Sequence, residues 1–255
     1  MRILIQIKAI IIFILALMVV IPSCLIAIPF NLTRRLKIVS PVWGNVFDAV
    51  VRHAFAAKLD IREDHRSPEL SKVPAQGLYI SNHQSFVDIP LLTCMYQVPP
   101  IMKKEVMYIP FVGLLGWICG AMPVSRSSSD SRKKVFSQTR KRMKVEKIGV
   151  QVYPEGTRSK DSLPREFAQI KRTLMVFAFN EKIPVVPTSI YGTRGVLSDR
   201  GWVNPGRHIG IIVHKEIDPG AYANADEFCR ACWDKVREGH DRMKAQLGPL
   251  NESLS

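Results

Sequence analysis

The chain has 255 residues and carries 36 Lys or Arg against 22 Asp or Glu, a formal charge of +14. That length buries one sizeable core and suits a single domain, or one domain with an appendage. Five cysteines, at positions 24, 94, 119, 229 and 232, have no even count or regular spacing, which excludes a disulfide framework.

Residues 9–30 contain no charged side chain, with Arg2 and Lys8 before them and Arg34, Arg35 and Lys37 after. Such a run matches a hydrocarbon core of roughly 30 Å at about 1.5 Å per helical residue. Residues 1–38 are therefore read as a membrane anchor, 39–250 as the main domain and 251–255 as a tail. Pro22 and Pro29 should kink or fray the second half, so a re-entrant anchor competes with a straight span. The other reading is a cleaved signal peptide, because Ile21-Pro22-Ser23-Cys24 loosely resembles a lipoprotein site. A proline before the small residue, and apolar residues continuing past the cysteine, fit an uncleaved anchor better.

Residues 39–70 read as one or two helices with a charged end. Residues 77–81 form a short apolar run, a buried strand that delivers Asn82 and His83 at its C-terminal end. In one continuous helix His83 and Asp88 would point about 140° apart. They can meet only if His83 sits on a loop, and Pro90, tolerated in a first turn, starts the helix between Ser85 and Asp88. Residues 102–120 are apolar but broken by Pro110, Gly113, Gly116 and Gly120, as suits a loop and short helix lining a greasy cleft. A strand at 122–124, a basic helix at 129–147 and strands at 148–153, 183–190 and 208–217 follow. The last helix opens at Asn224 with Glu227 and buries Phe228, Cys229, Cys232, Trp233, Val236 and Met243. Cys229 and Cys232 have half a zinc spacing without a second pair, so they read as core and no metal site is expected. Reduced thiols fit a cytosolic face. Strands alternating with helices indicate an α/β fold with a mostly parallel or mixed sheet flanked by helices.

Two polar motifs lie just beyond predicted strands, on the edge where α/β sheets bind ligands. In the first, His83 offers a base and Asp88 a carboxylate to hold its tautomer. The bland alternatives are a loop histidine bonded to backbone and a helix cap. Ser85 raises a Ser-His-Asp hydrolase, but no Gly-x-Ser-x-Gly elbow occurs, and a cap or packing role suits it better. The second motif is Tyr153-Pro154-Glu155-Gly156-Thr157-Arg158-Ser159. Here Arg158 can grip a phosphate or carboxylate, Gly156 admits a close backbone approach and Thr157 adds a hydroxyl. Its bland alternative is a surface turn with a Glu155–Arg158 ion pair. Residues 126–172 hold 14 Lys or Arg against 5 Asp or Glu. No nucleic-acid module accompanies them, so lipid headgroups or an acidic carrier protein explain the charge better than nucleic acid does.

At these residues the chain resembles the glycerolipid acyltransferase family, and within it the 1-acylglycerol-3-phosphate acyltransferases. The resemblance covers roughly residues 78–191 and rests on four blocks in order. Asn82-His83 through Asp88 would be the catalytic block. Lys103-Lys104-Glu105 with Pro110-Phe111, Gly113, Gly116, Gly120 and Arg126 would serve acceptor binding. Pro154 to Ser159, with Glu155, Gly156, Thr157 and Arg158, would hold the glycerol phosphate. Ile183-Pro184-Val185-Val186-Pro187 would contribute to acyl or acceptor binding. One departure stands out: where the family has Phe-Lys-x-Gly, this chain has Phe167-Ala168-Gln169-Ile170 and then Lys171-Arg172. The resemblance implies a glycerol-3-phosphate acyltransferase-like fold and acyl transfer from acyl-CoA or acyl carrier protein to a lysophospholipid, with no cofactor. Lyso-ornithine lipid or lysophosphatidylethanolamine are alternative acceptors, and a non-catalytic lipid-binding protein is the rival class. The expected location is a membrane, the inner one in a bacterium, with the site at its cytoplasmic face. Residues 109–118 could admit the acyl chain or simply be core.

Overall fold

The computed structural model describes residues 2–63, 76–125, 128–197 and 201–248. Its centre is a five-stranded mixed sheet in the order β1-β7-β6-β2-β5. The strands are β1 (Lys58–Glu63), β2 (Leu78–Ser81), β5 (Val150–Val152), β6 (Val185–Tyr191) and β7 (His208–Val213). The short strands β3 (Ile101–Lys103) and β4 (Met122–Val124) pair in parallel as a second sheet. β2 is parallel to both β5 and β6, whereas β6 and β7 run antiparallel. All seven residues of β6 are buried, as a strand covered on both faces requires. The chain leaves β7 at Val213 and returns to the sheet at Ile217, which bridges Val185.

Helices cover the sheet. α8 (Ala225–Leu247) is capped by Asn224, whose side chain accepts the N–H groups of Asp226 and Glu227. It buries Phe228, Cys229, Cys232, Trp233, Val236 and Met243. Full burial of side chains of this size stabilises by about 1.5–3 kcal/mol each. Both thiols belong to the core, and burial raises them above the usual thiol range, Cys229 to about 11. α5 (Ser129–Lys141), capped by Ser128, runs on through a π-helical turn over Arg142–Glu146.

Two features depart from the sequence expectation. In place of the one or two helices expected over residues 39–70, the helix ends in a π-helical turn at Val50–Ala54 and β1 follows, paired in parallel with β7; residues 64–70 lie outside the described residues. Lys58-Leu59-Asp60-Ile61-Arg62-Glu63 is a half-exposed edge strand, so its backbone pairing leaves little hydrophobic pattern to read. At the N-terminus the apolar segment does form a helix, and a second helix follows directly and packs on it, a pairing not expected from the sequence. α1 (Arg2–Ala27) continues past Pro22, and residue 38 falls inside α2 (Leu32–Ala49). Asn31 caps α2, while the Arg35 guanidinium donates to the carbonyls of Phe30 and Ile28 at the end of α1.

α1 is long and apolar enough to cross a membrane. It is also fastened to the rest of the chain along its length of about 39 Å. Near its start the Gln6 amide donates to Val203 O and accepts Val203 N–H, both at 2.9 Å. Midway, Phe13 meets Phe55 edge-on with centroids 5.7 Å apart. Towards its end, Ser23 accepts the Trp43 indole N–H at 2.9 Å, and Cys24 and Ala27 are buried. Its other face, including Ile3, Leu4, Ile10, Ile14, Leu15 and Met18, is exposed.

Candidate active site

The parallel register Leu78↔Val150 brings the ends of β2 and β5 to one edge, and Leu78↔Val185 adds β6 to it. His83 follows β2, Glu155 follows β5 and Thr193 follows β6. The loop after β2 is clamped by Asn82, whose amide donates to Ile190 O and accepts Ile190 N–H, both at 2.8 Å. The fourth sequence block thus sits in the sheet centre and its strand braces the histidine loop.

His83 lies on that loop, and α3 (Asp88–Tyr96) begins at Asp88 with Pro90 in its first turn. His83 Nδ1 is 2.8 Å from Asp88 Oδ2. The same oxygen accepts the backbone N–H groups of Gln84 at 2.6 Å and Ser85 at 2.8 Å. The Thr193 hydroxyl donates to Oδ1. Asp88 is fully buried and surrounded by donors, so the proton of the His83–Asp88 contact belongs on Nδ1. Nε2 then carries the lone pair. The His83 ring stacks on Tyr153 with centroids 4.2 Å apart, which fixes its plane. Burial, and next the charge of Asp88, push the Tyr153 hydroxyl well above its ordinary range. The imidazole therefore rests against a neutral phenol. Ser85 Oγ accepts Val87 N–H at 3.3 Å, a local turn contact.

Around this pair the buried Gln84 side chain donates to Ser162 O at 2.6 Å, and Ser159 N–H donates to His83 O at 2.7 Å. The second motif is thereby tied to the first. Gly156 turns the chain with φ +70°. A side chain there would lie 3.2 Å from Lys171 Nζ, so this ammonium covers the turn. Thr157 accepts from Arg165 at 2.8 Å. Arg158 makes no pair with Glu155; its guanidinium lies 3.9 Å over the ring of Phe86, both side chains exposed. Glu155 is instead buried, accepting His83 N–H at 3.3 Å. Burial raises its carboxyl to about 8, against the opposing pull of that bond and of Arg165. Arg165 Nε stands 4.0 Å from Oε2, beyond hydrogen-bond distance.

An apolar cavity of about 560 Å³ opens beside Phe86 and Val87. Phe13 and Val20 of α1, Trp43 and Phe47 of α2, and Ile109 and Val112 are among its walls. Within residues 109–118, Leu115 and Gly116 also line it, while Phe111, Leu114 and Trp117 are exposed to solvent. Gly113 is buried in α4 (Val112–Ile118), where a Cβ would fall 1.9 Å from the Met107 carbonyl oxygen. Lys104 lines a separate hollow with Ser125, Ser128, Ser131 and Lys134. Arg126 lies outside the described residues. Thr193, Arg165 and the stacking of Arg158 on Phe86 carry no sequence signal of their own, although the Gly192-Thr193 turn ending the strongest apolar strand marks the same edge.

A family model described as Acyltransferase matches residues 61–191, a span that encloses both motifs. The 1-acyl-sn-glycerol-3-phosphate acyltransferase of Haemophilus influenzae is 26% identical over 201 residues, 76% of this chain and 78% of the relative. The Escherichia coli protein of the same name is 24% identical, with 76% of each chain covered. Among solved structures, the 1-acyl-sn-glycerophosphate (LPA) acyltransferase PlsC from Thermotoga maritima superposes with a TM-score of 0.74. That match covers 97% of this chain and 98% of the other at 20% identity, and supports the mixed, helix-flanked fold. With the matched span covering half the chain and both motifs on one sheet edge, the protein is an enzyme belonging to the acyltransferase family.

Proposed function

We propose that the enzyme moves a fatty acyl group from a thioester to the free hydroxyl of 1-acyl-sn-glycerol 3-phosphate, making phosphatidic acid. One observation carries this reading: a histidine–carboxylate pair shares a sheet edge with a cation-bearing turn, and an apolar cavity of about 560 Å³ opens beside the same loop at Phe86 and Val87. His83 Nε2 would take the hydroxyl proton as the oxygen attacks the thioester carbonyl. The tetrahedral adduct then collapses, the C–S bond breaks, and the imidazolium returns the proton to the leaving thiolate. Asp88 would hold the tautomer and stabilise the imidazolium. Arg158 would bind the phosphate, with Lys171 as a second cation at the same turn. Lys171 lies over Gly156, which supplies a positive group despite the departure from the family pattern at residues 167–170. The cavity would take an acyl chain.

The donor would be acyl-CoA or acyl carrier protein, and the mechanism itself needs no cofactor or metal. We place the enzyme on a membrane, with the exposed face of α1 among lipids and the site towards the cytoplasm. Because α1 is docked from Gln6 to Ala27, it is better suited to lie along the surface than to project across the bilayer. Incubating purified protein with labelled acyl donor and a panel of lysolipids tests the assignment. The expected product is labelled phosphatidic acid; transfer confined to a lysolipid without a phosphate monoester would refute the acceptor. Direct transfer also predicts no acylated protein with donor alone and substantial activity in Ser85→Ala. A Ser85 acyl adduct in the mass spectrum would establish a two-step route instead.

A further inference from the structure

The segment before and within α4 turns its large side chains outwards. Tyr108 is 72% exposed, Phe111 54% and Trp117 47%, and Ile109, Val112 and Leu114 are exposed beside them. A patch of this kind on a soluble surface marks an interaction site. Phe111 presents its ring from a backbone at φ +63° and ψ −46°. A bulky residue holds such a conformation only under strain, which the fold must sustain. The wedge is also braced, because Gly113 lets α4 rest directly on the Met107 carbonyl. Apolar exposure is thus fixed into the backbone here rather than left by a loose loop.

What surrounds the patch identifies its partner. The preceding Lys103 and Lys104 are exposed, and so are Arg34 and Lys37 on α2. Arg35 places its guanidinium 4.3 Å from the Trp117 ring. Aromatic side chains beside Lys and Arg match the boundary between headgroups and acyl chains. Ile109, Val112 and Phe86 are both exposed and part of the cavity wall, so the cavity opens at this edge. A second copy of a chain carrying +14 would set like charge against like.

We propose that residues 108–117 form a second membrane-contacting edge, separate from α1, which seats the cavity mouth in a phospholipid surface bearing anionic headgroups. The inference builds on the lipid-substrate reading above. It gives that reading a route: lysolipid and acyl chain pass between membrane and cavity without crossing water.

Tryptophan emission from the full chain tests the contact independently of catalysis. The probe is a vesicle of phosphatidylcholine and phosphatidylglycerol whose phosphatidylcholine is brominated on its acyl chains. Bromine should quench wild type, and the quenched component should shrink in Trp117→Phe. Identical quenching in the two proteins would overturn the proposal, as would a Trp117 contact that appears only on self-association. Pure phosphatidylcholine vesicles should bind about fivefold more weakly for each cation at the surface; no dependence on phosphatidylglycerol would overturn the anionic assignment. Tyr108 and Leu114 do not line the cavity, so Tyr108→Glu with Leu114→Glu provides the second arm. Turnover of vesicle-embedded lysophosphatidate should fall roughly tenfold or more, while turnover in detergent micelles stays near wild type. Equal losses in vesicles and micelles would assign the edge to the fold and overturn the proposal. A wild type inactive in both vesicles and micelles would instead refute the acyl-transfer reading, with the quenching result unaffected.

Discussion

The two halves of the site are held in different ways. On one side, His83 and Asp88 sit among directed hydrogen bonds from Gln84, Ser85 and Thr193, with Asp88 fully buried. On the other, Arg158 is exposed and rests on the face of Phe86. A carboxylate with three donors around it has one orientation, and the base follows it. A guanidinium stacked on a ring keeps its hydrogen-bonding fork available for a ligand. Under the proposed function, the difference gives preorganisation to the chemical step and adaptability to headgroup recognition. It also predicts that mutations in the two halves will separate kinetically, the first lowering kcat and the second raising acceptor KM.

The largest effect that would break this division is expected of Asp88→Asn. An amide can present its N–H to His83 and favour the wrong tautomer, so kcat should fall by about 10⁴ with acceptor KM little changed. A loss confined to KM, read from steady-state kinetics, would remove Asp88 from the chemical half. Next comes Arg158→Ala. Losing a charge-assisted contact of about 1.5–3 kcal/mol should raise acceptor KM roughly 10- to 150-fold, with donor KM nearly constant. Arg158→Lys should recover only part, since a point charge does not reproduce the fork. Equal penalties on lysophosphatidic acid and on a zwitterionic lysolipid would mean that Arg158 braces the turn only.

Thr193→Val removes the hydroxyl on Asp88 Oδ1 with little change of shape. A drop in kcat of about tenfold is expected, restored by Thr193→Ser. An unchanged kcat in Thr193→Val would reduce Thr193 to packing. The smallest effect on turnover belongs to Glu155→Gln, which keeps an acceptor for His83 N–H. Its signature is in stability. The carboxyl is raised to about 8 in the fold, against about 4.3 when unfolded, so between these values the native state binds the extra proton. Wild-type stability contributed by this group is therefore full below about pH 4 and is lost as pH rises towards 8. Thermal melts should show Glu155→Gln gaining on wild type across that window and holding a constant advantage above it. A pH-independent difference would show that Glu155 titrates normally.

Much of the chemical half was legible in the sequence because its members are close in the chain. Only four residues lie between His83 and Asp88, and Pro90 limits where the helix can start, so the meeting of the two follows from helix geometry. The shared edge was legible too, since two apolar runs each end in a polar motif. What escaped is contact across long separations. Thr193 reaches Asp88 from a different strand, Lys171 folds back over Gly156, and Gln6 joins Val203. None of these pairs leaves a periodic pattern. β1 was missed for another reason: an exposed edge strand is specified by backbone pairing with β7 rather than by alternating apolar residues. Likewise the apolar N-terminus reads as an anchor, but its packing along the domain depends on Ser23, Cys24 and Ala27 meeting α2, which composition does not reveal.

The most direct test of the central claim is the turnover of purified His83→Ala with labelled acyl-CoA and lysophosphatidic acid, alongside a melt that shows the variant folded. Loss of the general base should reduce kcat by about 10²–10⁴ while the acceptor still binds. Near-wild-type turnover by the folded variant would contradict the account, because it would show that His83 is not the group that takes the proton.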